Sequence, residues 1–126
     1  MVPTVGGLTA SDNHEGYNAH SPDNDLGVIS PTAALSSFPY TPKESMAALR
    51  YFYEAKGGKM WGDYGLKDAM NETRNWYGHS YLAIDQGPTM VMIENHRSGL
   101  FWKLFMGIPE IQQGLKKLGF ASPHLK

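Results

Sequence analysis

Outside residues 1–29 and 57–84, apolar residues recur at the three- and four-residue intervals of helix faces. Residues 43–56 form one such segment, and its apolar positions predict a side that faces the core. These positions are Met46, Leu49, and Phe52 or Tyr53. The same pattern, with its boundary residues, predicts helices over residues 31–37, 43–56, 86–97, 99–106 and 109–118.

Residues that start and stop helices flank these segments. Ser30 followed by Pro31 is typical of a helix start, because Ser caps the first turn and Pro fits the first helical position. Residues 41–44 (Thr-Pro-Lys-Glu) form a capping box, in which two side chains satisfy free N–H groups of the first turn. Gly57 and Gly58 are expected to end the second helix.

The segments 1–29 and 57–84 have neither helical nor strand periodicity and are predicted to be long loops. The first is rich in Gly, Asn, Asp, Ser and Pro, and the second carries interleaved aromatic residues. A structureless stretch as long as residues 1–29 is usually functional inside a compact domain, but the frayed end of a truncated chain looks the same. Both alternatives stay open, and the predicted fold class is all-α.

The later helices carry two further predictions. Glu94 and Arg97 are three residues apart on one helix, so an intrahelical ion pair is expected rather than a catalytic role. Residues 100–106 are apolar on almost every side, which predicts that this helix is buried on most sides.

Composition restricts the classes of function. The chain has 126 residues, enough for one domain with one core, and its formal net charge of −1 excludes the basic surface that nucleic-acid binding requires. The absence of cysteine excludes disulfides, thiol catalysis and cysteine-ligated metals. No apolar stretch approaches the roughly 18 residues of a membrane span, and residues 1–6 have no charged or apolar region typical of a signal peptide.

Asp85 is the first candidate for chemistry, because it lies at the predicted entrance of a helix, just ahead of a Gly87-Pro88 break. A carboxylate there is either an N-cap that accepts backbone hydrogen bonds or an acid–base catalyst, and the residues alone leave both open. As a cap its pKa would be lowered, which would keep it ionised and also suit a general base. Gln86 is either a ligand contact or a first-turn surface residue.

Asp12 is the second candidate, as a turn residue or as a ligand contact. Its neighbours include possible metal ligands, but their spacing matches no defensible metal site. These neighbours are His14, Glu15 and His20. Asp23 and Asp25 supply only part of a calcium loop. No metal and no cofactor are therefore predicted.

Several aromatic residues lie in the predicted loops rather than on a helix stripe. Sugar rings have apolar C–H faces that pack on aromatic faces, so such residues are either packing anchors or sugar platforms. They are Tyr17, Tyr40, Trp61, Tyr64 and Trp76. Trp61 and Tyr64, on either side of a Gly-Asp pair, are the stronger candidates for a platform.

Four segments in a fixed order carry a resemblance to a known family. They are residues 7–12 (Gly-Leu-Thr-Ala-Ser-Asp), 16–20 (Gly-Tyr-Asn-Ala-His), 31–39 (Pro-Thr-Ala-Ala-Leu-Ser-Ser-Phe-Pro) and 61–65 (Trp-Gly-Asp-Tyr-Gly), and residues 84–88 (Ile-Asp-Gln-Gly-Pro) follow them. Between about Gly7 and Phe120 the chain resembles the C-terminal third of the bacterial glucoamylase-like family. That family includes endo-β-1,2-glucanases, and its fold is a six-hairpin (α/α) toroid.

The resemblance implies an activity and roles for individual residues. It implies hydrolysis of a β-linked glucan, with β-1,2-glucan favoured, by an inverting mechanism in which Asp85 is the general base. The implied substrate contacts are Asp12, Tyr17, Tyr40, Trp61, Tyr64 and Gln86. The implied partner is an oligo- or polysaccharide, and the parent enzyme is expected in the periplasm or outside the cell.

The chain departs from the family pattern in length and at Gly6, where a large aromatic residue is expected. A complete toroid is roughly three times as long, so the chain is expected to be a C-terminal fragment of one partial domain. Within it, residues 1–29 are the loop or truncated end, 30–120 the helical hairpins and 121–126 a tail.

A fragment of this kind has consequences for activity. The general acid is expected in the missing N-terminal part, which would leave the chain inactive alone and its exposed core surface prone to self-association. The alternatives are a non-catalytic carbohydrate-binding or structural module, and a remnant that folds only with a missing partner segment.

Overall fold

The computed structural model describes residues 6–125. Helices alternate with short antiparallel hairpins along this part of the chain. The helices are α1 (Pro31–Leu35), α2 (Pro42–Arg50), α3 (Gly57–Met60), α4 (Ala83–Ser98), α5 (Leu100–Met106) and α6 (Pro109–Lys117), and a π-helical turn, Tyr51–Ala55, continues α2. The strands are β1 (Ala10–Asn13), β2 (Gly16–Ala19), β3 (Trp61–Gly62), β4 (Gly65–Leu66), β5 (Met70–Asn71) and β6 (Trp76–Tyr77).

The five predicted helices are confirmed, with two differences at their ends. The second helix ends at Ala55 with Lys56 as its C-cap, close to the predicted end, but Gly57 and Gly58 begin a further short helix, α3, instead of following as a loop. The fourth begins at Ala83, earlier than predicted, so Asp85 lies in its first turn and Pro88 lies inside the helix instead of breaking it.

The predicted cap positions are right, but the predicted cap hydrogen bonds are wrong. Ser30 and Thr41 precede α1 and α2, with Pro in the first turn of each helix, yet neither side chain bonds to its helix N–H groups. Ser30 Oγ donates to the Asp68 carbonyl at 2.9 Å, and Thr41 Oγ1 donates to the Ser37 carbonyl at 3.2 Å. The Ser30 hydroxyl therefore bonds outside α1, whereas Thr41 Oγ1 also lies 3.2 Å from Ser45 Oγ within α2.

The two predicted loops contain three hairpins, so the all-α prediction is confirmed only in part: the structure is mainly helical, with short strands. Each hairpin is a separate two-stranded sheet: β1–β2, β3–β4 and β5–β6. Strands of two to four residues are too short for a period-of-two pattern to be visible in sequence. Their turns are marked instead by backbone angles, with positive φ at Gly16, Gly65 and Asn75.

The structure divides into two compact units, one ending at Ile93 and the other beginning at Glu94. In the first, one apolar cluster forms the core: Leu35, Phe38, Ala48, Phe52, Met60, Leu66 and Met70. The core-facing side of α2 carries Ser45 and Ala48, so the prediction for Met46 is wrong and that side chain is exposed. Phe52 is buried as predicted, whereas Tyr53 points outward.

The second unit exposes apolar side chains. Neither α5 nor α6 has a buried residue, so the prediction that α5 is buried on most sides is wrong for this chain. The exposed apolar side chains of this unit include Leu100, Phe101, Trp102, Leu104, Phe105, Ile108, Leu118 and Phe120. The predicted Glu94–Arg97 ion pair is confirmed, with Arg97 Nη1 3.1 Å from Glu94 Oε2. Among the described residues, no helix has both the length and the apolarity needed to cross a membrane.

Candidate active site

Three acidic side chains from distant parts of the sequence interact in the first unit. Asp12 comes from β1, Asp68 from the connection between β4 and β5, and Asp85 from the first turn of α4. The charges of Asp12 and Asp68 both act on Asp85, and Asp68 is affected in turn by the charge of Asp12 and by a hydrogen bond with Asp85. The predicted candidates Asp12 and Asp85 therefore lie together, with a third carboxyl group near both.

Hydrogen bonds fix Asp12 and Asp68 relative to each other. The backbone N–H of Asp12 donates to Asp68 Oδ2 at 2.7 Å, and Ser80 Oγ donates to Asp12 Oδ2 at 2.6 Å. The backbone N–H of Asp68 donates to the Ser80 carbonyl at 3.1 Å. Asp68 is thus held through both its side chain and its backbone.

Burial and like charge make proton uptake by Asp85 easier. Asp68 is 1% exposed and Asp85 is 8% exposed. Loss of solvation, followed by repulsion from Asp68 and a hydrogen bond with it, raises the pKa of Asp85 to about 6. The prediction that capping would lower this pKa is therefore wrong. The pKa of Asp68 is also raised, chiefly by burial, although the hydrogen bond with Asp85 acts in the opposite direction.

Two carboxylate oxygens of the cluster have no hydrogen-bond donor among the described residues. They are Asp68 Oδ1 and Asp85 Oδ2, both shielded from solvent. Two ionised carboxylates can only accept hydrogen bonds, so neither satisfies the other. One shared proton removes the deficit, and the hydrogen bond between the pair, which raises the pKa of Asp85 and lowers that of Asp68, favours Asp85 as the group that takes it up.

Asp85 also borders an open groove of about 320 Å³. The groove is lined by Thr9, Ala10, Tyr17, Thr32, Ala33, Ser36, Leu82, Ile84, Asp85 and Pro88. Tyr17 is 69% exposed and stands opposite Asp12 in the β1–β2 pairing. The groove therefore joins a carboxyl group with a raised pKa to an exposed aromatic ring.

The other predicted contacts are distributed differently. Gln86 Nε2 donates to the Leu66 carbonyl at 2.6 Å, so its amide donor is already engaged with the backbone. Tyr40, Trp61 and Tyr64 are exposed but do not line the groove beside Asp85. Trp61 packs edge-on against Tyr53, and Tyr64 packs edge-on against Tyr81, with ring centroids 5.3 and 5.5 Å apart.

The histidines near Asp12 do not form a metal site. His20 is buried, its Nε2 lies 3.5 Å from Asn13 Nδ2, and its charge acts on Asp68. His14 Nε2 lies 3.4 Å from Glu15 Oε1. Between residues 6 and 125, no group of three or more His, Cys, Asp or Glu side chains is arranged to hold a metal ion.

Asp68 and Ser80 belong to the cluster but are absent from the sequence-based candidates. Asp68 lies in a segment predicted to be loop, with the exposed Asp63 five residues earlier. Composition and spacing do not distinguish these two aspartates. The available signal is local, because Asp68 is followed directly by apolar Ala69 and Met70, both of which are buried.

A buried carboxyl pair beside an open groove is an arrangement suited to proton transfer on a bound ligand. The chain belongs to the family described as "Putative glucoamylase", whose model matches residues 2–109. The glucoamylase-like resemblance of the sequence is thereby confirmed.

Known relatives agree with this membership. A structure described as a putative glucoamylase from Bacteroides uniformis is 65% identical, with a TM-score of 0.93, over 95% of this chain and 29% of that chain. The endo-β-1,2-glucanase from Chitinophaga pinensis, solved with sophorotriose and glucose, is 61% identical, with a TM-score of 0.91, over 94% of this chain and 29% of that chain.

An exo-β-1,2-glucooligosaccharide sophorohydrolase (non-reducing end) from Parabacteroides distasonis is 48% identical over 114 residues, which is 89% of this chain and 16% of that protein. The chain thus spans less than a third of the length of each of these three relatives.

Proposed function

We propose that this chain forms part of a glycoside hydrolase that cleaves β-linked glucan, with β-1,2-glucan as the favoured substrate. The observation that carries the proposal is the position of Asp85, a buried carboxyl group at the edge of a groove that also exposes Tyr17. The named activities of the Chitinophaga and Parabacteroides relatives supply the substrate class. In the complete enzyme, the helices of this chain would form part of an (α/α) toroid.

Asp85 is the general base in this proposal. Its carboxylate takes a proton from a water molecule, the resulting hydroxide attacks the anomeric carbon, and the glycosidic bond breaks with inversion as a general acid protonates the leaving oxygen. A pKa of about 6 makes Asp85 a competent base near neutral pH, because a base works best when its pKa lies near the working pH.

The general acid comes from outside this chain. Inverting enzymes keep their two carboxyl groups roughly 6.5–9.5 Å apart to leave room for water. Asp68 is in hydrogen-bonding contact with Asp85, and Asp12 is bonded to Asp68 through its backbone, so neither is arranged as the distant partner. The chain covers 29% of the endo-β-1,2-glucanase, which leaves most of such an enzyme to supply the acid.

Exposed aromatic residues and polar neighbours would bind the sugar. Tyr17 contacts the sugar unit beside Asp85 in this scheme, since both line one groove. Tyr40, Trp61 and Tyr64 would contact sugar units farther along the glucan, with polar contacts from Asp12 and the side-chain oxygen of Gln86. These assignments rest on exposure and on the apolar faces of glucose, which pack well on aromatic rings.

A chimaera tests this proposal. In it, the present chain replaces the matching 29% of the Chitinophaga endo-β-1,2-glucanase. With 61% identity and a TM-score of 0.91, the graft is expected to fold and to release oligosaccharides from β-1,2-glucan. The unmodified endo-β-1,2-glucanase is the control. A folded chimaera without activity on β-1,2-glucan would refute the proposed function.

The second candidate is a carbohydrate-binding module without turnover. It is favoured by the high exposure of the tyrosines, with Tyr64 at 76%. Affinity electrophoresis of the isolated chain in gels containing β-1,2-glucan separates the two. Retardation that is lost in Tyr64→Ala, combined with an inactive chimaera, would favour the binding module over the enzyme.

The isolated chain is expected to self-associate through the second unit, because Leu104 and Phe105 are 62% and 54% exposed in a helix without buried residues. Contiguous apolar surface of this kind normally marks an interface. Sedimentation velocity should detect dimers or larger species for the wild type, and a shift toward monomer for Leu104→Glu. Thr73→Glu, an exposed change in the first unit, is the matched control. A monodisperse wild-type monomer would contradict the prediction.

A further inference from the structure

We infer that Asp68 is a positioning residue whose carboxylate accepts the hydrogen bond of the protonated Asp85 carboxyl group and so holds the proton that Asp85 takes up during hydrolysis. This inference rests on the proposed function of Asp85 as the general base. It assigns a role to a side chain that never has to touch the glucan.

The surroundings of Asp68 hold its carboxylate in one orientation. Oδ2 accepts the Asp12 N–H at 2.7 Å, the Asp68 N–H donates to the Ser80 carbonyl at 3.1 Å, and the Asp68 carbonyl accepts Ser30 Oγ at 2.9 Å. With Oδ2 and both backbone groups occupied, Oδ1 is the atom left over. The carboxylate cannot rotate to satisfy Oδ1 without losing the bond at Oδ2.

The unsatisfied oxygens define where the proton sits. Asp68 Oδ1 and Asp85 Oδ2 are both buried and lack a donor in the described part of the chain. A buried acceptor without a donor costs about 1–3 kcal/mol, and more when it is charged. A proton on Asp85, directed to Asp68, satisfies both oxygens with one hydrogen bond.

The charges around the pair favour this proton. Asp85 is faced by Asp68 and, more weakly, by Asp12, and both negative charges raise its pKa. Tyr17 and Lys67 line the spaces on either side of Asp85. His20 acts on Asp68, where it lowers the pKa. Burial raises the pKa of both groups, but the hydrogen bond between them raises that of Asp85 and lowers that of Asp68, which favours Asp85 as the protonated donor and Asp68 as the ionised acceptor.

The consequence for the reaction is that Asp68 stabilises the protonated form of Asp85. When water attacks, one O–H bond of the water breaks and its proton forms a new O–H bond on Asp85. Asp85 Oδ2 is shielded from solvent, so the proton arrives on the other carboxyl oxygen. Rotation of the carboxyl group about its Cβ–Cγ bond then turns the O–H toward Asp68, which stabilises the protonated base. Without Asp68 as an ionised acceptor, Asp85 would be a weaker base.

The test is the titration of Asp85 in the full chain, followed by ¹³C NMR of the aspartate carboxyl carbons. In wild type, the Asp85 signal should titrate at about pH 6. In Asp68→Asn, the repulsion is removed and the new amide can donate to the Asp85 carboxylate. The Asp85 midpoint should then fall by about one pH unit or more.

Asp63→Asn is the matched control, since it removes an exposed aspartate from the same stretch of chain and should leave the Asp85 midpoint unchanged. If Asp68→Asn does not fold, the wild-type titration still decides, because an Asp85 midpoint at about 4, the ordinary value of an aspartate, would overturn the inference. A folded Asp68→Asn variant with an unchanged Asp85 midpoint would overturn it too.

A pH profile separates this inference from the proposed function. In the chimaera, Asp68→Asn should lower turnover and move the acidic limb of the pH–rate profile to lower pH, which a purely structural residue would not do. If the wild-type chimaera is inactive but the Asp85 midpoint lies at about pH 6 and falls in Asp68→Asn, the proposed function is rejected and the interaction between Asp68 and Asp85 stands. If the chimaera is active and Asp68→Asn does not move the acidic limb of its pH–rate profile, only the role of Asp68 is rejected and the proposed function stands.

Discussion

Replacing Asp85 with asparagine in the chimaera is expected to lower turnover on β-1,2-glucan by about 10²–10⁴-fold, the usual effect of removing a general base. Asparagine keeps the size of the side chain but cannot accept a proton from water. The measurement is initial-rate kinetics with product analysis. The rate of the unsubstituted chimaera should also rise through about pH 6 as Asp85 ionises. A rate that falls across that range would make Asp85 the acid instead of the base.

The same substitution is expected to leave the fold intact or to stabilise it. The pKa of Asp85 is about 6 in the fold and 3.8 without its surroundings, so between these values the folded chain holds a proton that the unfolded chain has lost. Wild-type stability therefore falls as the pH rises toward 6, and above 6 the buried charge keeps its full cost. The side chain of the Asp85→Asn variant has no charge, and its amide can donate to Asp68 Oδ1.

Thermal unfolding of the full chain at about pH 8 and about pH 4 measures this effect. The Asp85→Asn variant should melt at or above the wild-type temperature at the higher pH, and its advantage should shrink at the lower pH. Reduced stability at both values, with turnover retained in the chimaera, would make Asp85 a structural residue and the catalytic assignment would be withdrawn.

Replacing Phe52 with alanine is expected to destabilise the first unit by about 3–5 kcal/mol, the typical cost of emptying a buried phenylalanine site. Phe52 is fully buried in the apolar cluster, in the π-helical turn that follows α2. Since small proteins are stable by only about 5–15 kcal/mol, much of the total would be lost. Urea unfolding measures the change.

Phe120→Ala is the matched control for Phe52→Ala. It removes the same atoms from an exposed position in the second unit, so its effect on unfolding of the first unit should be within about 0.5 kcal/mol. Equal effects of the two substitutions would mean that the cluster around Phe52 is not the core.

The helices were predictable because each combines apolar spacing with a local boundary residue. Pro31, Pro42 and Pro109 lie at helix starts. Their fixed φ favours the first helical turn, and this effect depends only on residues that are adjacent in the sequence. The hairpins were missed because their pairing depends on residues across a turn, over strands of two to four residues. Met46 was misplaced because the side of α2 that faces the core is set by contacts with distant segments.

The candidate site was predictable only in part, for the same reason. Asp12 and Asp85 stood out by their local positions, and the structure brings them into one cluster. Asp68 has only a weak local mark, the apolar Ala69 and Met70 that follow it, because its significance comes from two residues that are distant in the sequence. The pKa of Asp85 was predicted in the wrong direction, since capping is a local effect and burial beside another carboxyl group is a tertiary one.

The pairing of β1 with β2 also limits how the hairpin can change in length. Asp12 stands opposite Tyr17, and Asp12 is tied by its backbone to Asp68. Side chains alternate between the two faces of a strand, so a one-residue slip of β2 would turn Tyr17 away from the groove while Asp12 stayed in place. Single insertions or deletions in the turn before Gly16 would therefore separate the aromatic ring from the acid, although composition and helix content would hardly change.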